Sequence, residues 1–145
     1  MKPMPKITKA KVRNNTEAFE AIVNRHVFHS KDNVAPRMFG EMNISDMELS
    51  LYVAYSYGYH YPMCAYDYSV GKWFFNEHKY SPTTQRHKSG VLKHMTEEDR
   101  ANVTYLDPSA MSKLVMTGSY ANMVANRMGH KIPPSNRTTD IRRAV

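Results

Sequence analysis

A single cysteine, Cys64, stands among the 145 residues, which excludes an internal disulfide, the paired thiolates of a zinc finger and a CxxC redox site. Glycine is also sparse. The six at positions 40, 58, 71, 90, 118 and 129 form neither a Walker A loop nor a GxGxxG fingerprint, so nucleotide hydrolysis and dinucleotide binding lose their usual signature. No GxSxG elbow and no HExxH pair occur, and His26-x-x-His29 has no acidic companions, so a metal site is not expected. No long apolar run is present either. The longest uncharged stretch, Leu49 to Tyr66, is interrupted by six tyrosines, His60, Pro62 and Gly58, and its first half alternates with the period of a strand. A membrane span is not expected, and no cofactor is implied.

What is present is enough for a core: 41% hydrophobic and 11% aromatic residues exclude a chain disordered throughout and a collagen-like fibre. The length suits one domain. The net charge of +7 is unevenly spread. Residues 1–13 hold Lys2, Lys6, Lys9, Lys11 and Arg13 with no acid, and lack both periodicity and the apolar segment of a secretory signal; they read as a flexible basic arm. The cytoplasm is then the default compartment. Residues 14–130 read as the folded domain and residues 131–145, with Arg137, Arg142 and Arg143, as a basic tail.

The periodicity predicts an α+β fold: a small antiparallel β-meander of three to five strands packed against helices from the N- and C-terminal segments. Asn15 or Thr16 can cap a first helix with a stripe of Phe19, Ile22, Val23 and Val27. From Arg37 to Glu77 the period is two, with turn signals at 43–46, 58–62 and 67–71. One strand sets Leu49, Leu51, Val53, Tyr55 and Tyr57 on a core face. Its other face, Tyr52, Ala54, Ser56 and Gly58, is small enough to receive a helix or a ligand. Ser81-Pro82 predicts an N-cap and first helical position, with Ser89-Gly90 ending that helix after about two turns. Thr96 opens a short helix. The longest helix should run from Asp107-Pro108 to Gly129. Leu51, Val53, Tyr55, Trp73, Leu114 and Val115 should all be buried.

Two features carry candidate chemistry. Seven of the ten tyrosines lie between Tyr52 and Tyr68, with His60 among them, and aromatic faces beside cations are what unstacked bases bind. Lys79, Arg86 and Lys88 gather near the predicted helix start, where Ser81, Thr83 and Thr84 offer hydroxyls and free amides to a phosphate. The expected contact set is Tyr57, Tyr61, Lys79, Tyr80, Ser81, Thr83, Thr84, Arg86 and Lys88. Positive charge is segregated into the arm, residues 72–95 and the tail, as a polyanion footprint requires. The leading expectation is nucleic-acid binding, to DNA or RNA. The rival is a protein-binding module that inhibits a host protein through exposed Tyr and Met anchors. A third reading makes His60 and His87 the base and acid of metal-independent phosphodiester cleavage.

The pattern Tyr55-Ser56-Tyr57-Gly58-x-His60-Tyr61-Pro62-Met63, then Trp73-Phe74-x-Asn76, then Lys79-Tyr80-Ser81-x-Thr83-Thr84-x-Arg86-His87, resembles small proteins of bacteriophages and related mobile elements. The resemblance covers residues 55–87 and neither terminus. It implies an accessory protein acting inside the host cell, with Ser56, His60, Asn76, Lys79, Tyr80, Ser81, Thr84 and His87 forming its defining surface.

Overall fold

The computed structural model describes residues 7–29, 37–45, 48–127 and 136–137. Four strands, β1 (Met38–Ser45), β2 (Glu48–Ser56), β3 (Pro62–Asp67) and β4 (Lys72–Asn76), form the antiparallel meander that the period-two pattern predicts. Helix α1 (Asn15–Val23) precedes them. After β4 the chain crosses over through α2 (Pro82–His94) and α3 (Glu97–Ala101) to β5 (Thr104–Leu106), which pairs in parallel with β4. Then come α4 (Pro108–Thr117), α5 (Tyr120–Arg127) and the two-residue β6 (Asn136–Arg137), giving the sheet order β5-β4-β3-β2-β1-β6.

Both faces of the sheet are covered, which is why its strands are nearly continuous in burial. One core joins Met38, Met42, Tyr52, Ala54, Met63, Trp73 and Phe75 to Ala18, Ile22 and Val91 of α1 and α2. The other joins Leu51, Val53, Tyr55, Ala65 and Phe74 to Met111, Leu114, Val115 and Met123 of α4 and α5. All six residues expected in the interior are buried. The small face of β2 receives a helix of the same chain, not a ligand. Leu49 departs from the expected face: a register shift between Asn43 and Ile44 opposite Ser50 reverses the alternation and turns it toward the first core.

The helix ends follow their caps. Asn14, one residue before the expected cap, accepts from the Glu17 amide at 2.8 Å, and Val27 lies past the helix in a bridge to Lys9. Ser81 caps α2 as expected, but the helix continues through Gly90 for 13 residues. The missing side chain there is a packing feature: a Cβ on Gly90 would lie 2.2 Å from the Phe19 ring, so glycine lets α1 approach α2. The expected long C-terminal helix is two helices, because Gly118 takes φ +89° as a left-handed C-cap and Ser119 starts α5 by accepting from the Asn122 amide. Of the segment read as a flexible arm, residues 7–13 lie against the body: Ala10 N–H donates to Val27 O at 2.8 Å and Val12 is buried. The remainder of the arm, and the tail apart from residues 136–137, lie outside the described residues.

Candidate functional site

One end of the sheet collects the chemistry. There β2 and β4 finish, β3 and β1 begin, α2 presents its N-terminus, and parallel β4 and β5 both end, with Asn76 beside Leu106. Ligands of parallel α/β units sit at such carboxyl ends. The β2–β3 loop, residues 57–61, packs onto residues 78–87. His60 meets Tyr80 edge to face at 5.7 Å, Tyr61 lies 5.5 Å from Tyr80, and Tyr57 stacks on His87 at 5.9 Å.

Beneath this surface a chain of hydroxyls ties β2 to α2. Ser56 Oγ lies 2.9 Å from His87 Nδ1 and 3.3 Å from Thr84 Oγ1, and Ser81 Oγ donates to Thr84 Oγ1 at 3.1 Å. Burial, aided by Arg86, holds the His87 imidazole below its ordinary value. A second tie anchors the strand end: Lys88 Nζ donates to Asn76 O at 2.8 Å and His78 O at 3.0 Å, and the Tyr61 hydroxyl also donates to His78 O. Asn76 completes it, donating from Nδ2 to Pro62 O and accepting from the His78 amide. Desolvation lowers the Lys88 ammonium and pushes the Tyr61 phenol up to about 12.

The expected contact residues therefore divide. Tyr57 and Tyr80 are 44% and 54% exposed, Lys79 and Arg86 are exposed, and Ser81 and Thr83 are half-buried. Tyr61, Thr84 and Lys88 are buried, with their polar atoms engaged as above, so they lie beneath the exposed residues. Position along the chain could not reveal this, because which face of α2 is covered depends on α1 and the end of β4 packing against it. Among the histidines, His60 is exposed, whereas His87 is 3% exposed beneath the Tyr57 ring with Nδ1 committed to Ser56. A base and acid acting on one phosphodiester both need access to it; His60 is open to solvent, and His87, with its Nδ1 on Ser56, is nearly covered.

Sequence reasoning missed the neighbouring cleft. Arg37, Phe39, Tyr57, Gly58 and Tyr59 line a space of about 330 Å³. Tyr59 is 43% exposed, yet its ring meets Phe39 and Tyr55 edge to face, both at 5.0 Å, and its hydroxyl donates a hydrogen bond to Glu41 Oε1. Glu41 is fully buried on β1, with His29 Nδ1 3.8 Å away. The signal was available: alternation along β1 puts Glu41 inward with Phe39, and an inward acid in a strand requires a partner.

Charge is mixed at both ends of α2. Arg37, Lys79 and Arg86 are exposed at this end, with Glu77 and Asp107 as acids beside them. The 13-residue α2 carries the chain away over about 20 Å to α3, whose first turn is Glu97-Glu98-Asp99, with Lys93 and Arg100 exposed beside it. Among the described residues no group of three or more His, Cys, Asp or Glu is placed to hold a metal ion, and no helix is long and apolar enough to cross a membrane. No protein-family model, curated protein or solved structure matches the chain. The arrangement itself offers exposed tyrosine rings and exposed cations on one end of the sheet, which suits stacking and phosphate contact.

Proposed function

We propose that the chain binds nucleic acid through this end of the sheet, as an accessory protein of the phage kind that residues 55–87 resemble. The observation that supports it best is the grouping of Tyr57, Tyr59 and Tyr80, each more than two-fifths exposed, with Arg37, Lys79, Arg86 and His60. A tyrosine serving only the core would spend its ring on packing, as Tyr52 and Tyr55 do at 0% and 1% exposure. The three outer rings keep faces or edges in solvent beside guanidinium and ammonium groups, the combination that bases and phosphates engage.

Fluorescence anisotropy with a labelled single-stranded oligonucleotide tests this reading. Affinity should fall steeply between about 50 and 200 mM salt, and Lys79→Ala or Arg86→Ala should each reduce the log–log salt slope by about 0.7. Absence of binding at the lower salt refutes it. A second reading, docking of a protein, draws on Met116, Tyr120 and Val124, which recur every fourth residue across α4 and α5 and are exposed, Met116 at 65%. Such an interface would depend much less on salt and would lose affinity on Met116→Ala.

A further inference from the structure

The cleft beside the loop has three properties that packing alone does not require. The first is its size. At about 330 Å³ it lies at the low end of the ~300–1,000 Å³ of small-ligand sites, enough for one planar ring system and not for a stack of them. Its walls are Tyr57, Tyr59 and Phe39, and Arg37 supplies the charge.

The second is backbone strain. Tyr57 takes φ +67° and Gly58 follows at φ +145°. The left-handed region is unfavourable for a bulky side chain, and glycine or asparagine would occupy position 57 at less cost. The conformation is held by the Tyr57 amide, which donates to Arg37 O at 2.8 Å. A tyrosine kept at a position that disfavours it is an outlier of the kind that gathers at ligand-binding positions. The third is rigidity. Tyr57 rests on His87, and Tyr59 is fixed by two rings and by the buried Glu41 carboxylate. Rings already immobilised lose little freedom when a base stacks on them.

We propose that this cleft is a slot for one unstacked base of a single-stranded nucleic acid, held between Tyr57 and Tyr59 with a flanking phosphate on Arg37. Glu41 is a positioning residue that sets the Tyr59 ring. The inference rests on the nucleic-acid reading and narrows it. A duplex keeps its base faces stacked inside the helix, so it has no free face to offer the slot.

The test compares one oligonucleotide as a single strand and as a duplex by anisotropy at fixed low salt, with 2-aminopurine placed in the single strand. The single strand should bind at least about tenfold more tightly, and 2-aminopurine emission should change on binding as the base leaves its neighbours for a tyrosine. Tyr57→Ala and Tyr59→Ala should each weaken single-strand binding about tenfold or more. Tyr57→Gly separates function from folding, because it relieves the backbone: it should melt close to the wild-type temperature and yet lose the same affinity. Equal affinity for duplex and single strand, or wild-type affinity in Tyr57→Gly, overturns the slot while leaving nucleic-acid binding intact. No binding to either form overturns both.

Discussion

Gly40 sits in β1 opposite Ala54, with its α-carbon against the fully buried Tyr52. A Cβ built there would lie 1.9 Å from the Tyr52 hydroxyl oxygen, 2.6 Å from its Cζ and 3.2 Å from Phe28 Cε1. Tyr52 has little room to retreat, because its hydroxyl donates to His26 O at 2.7 Å and its ring meets Trp73 edge to face. Gly40→Ala therefore forces overpacking worth ~1–3 kcal/mol and disrupts a hydrogen bond worth about 1 kcal/mol. Against these stands a gain of roughly 0.5–1 kcal/mol from replacing glycine inside a strand. The net is a loss of about 2 kcal/mol, or roughly 5 °C in melting temperature for a chain of this size. Trp73, the sole tryptophan, is buried, so its emission in a urea titration reports the transition. The midpoint should fall by about 1 M with an unchanged slope. Adding Tyr52→Phe removes the atom nearest the new methyl, so the double variant should recover about 1 kcal/mol relative to additivity. A Gly40→Ala protein that unfolds at the wild-type midpoint would refute the packing of Tyr52 described above.

His87 gives a pH dependence of definite sign. Its folded-state pKa lies below the ordinary value of 6.5, so below that pH the unfolded chain takes up a proton that the folded chain resists, and stability declines as the pH falls. His87→Asn, which keeps a hydrogen-bonding atom near Ser56, should flatten that part of the stability profile in urea titrations at pH 5, 6 and 7; an unchanged profile counts against a buried, neutral imidazole. Cys64 is fully buried in β3 and burial pushes its thiol well above its ordinary value, so a disulfide reagent at pH 8 should label it only at the rate of unfolding. Prompt labelling of native protein would place it nearer the surface than β3 allows.

Much of this was legible in local chemistry. Ser81-Pro82 marks the start of α2 because a hydroxyl cap and a residue without an amide suit the first turn and little else. The period of two marks β1 to β4, and the inward positions of β2 and α4 name Leu51, Val53 and Leu114 as core. What sequence could not show depends on partners distant in the chain. Gly90 looks like a stop until Phe19 is seen to occupy the space its side chain would need. Leu49 changes faces because of a one-residue register shift that local alternation does not encode. At the candidate site the tyrosines and cations were visible as a cluster, but whether each faces water is decided by the sheet and α2 together: Tyr61 and Lys88 turn inward, and Arg37 comes to line the same cleft from 20 positions before Tyr57.

Amide hydrogen exchange with and without a saturating single-stranded oligonucleotide at low salt addresses the central claim directly, because it reports both whether nucleic acid binds and where. Added protection is expected over residues 57–61 and 77–86, with Arg37 and Phe39 included and α3, residues 97–101, unchanged. Protection confined to α3, α4 or α5, or none at all, would contradict the assignment of this end of the sheet as the binding surface.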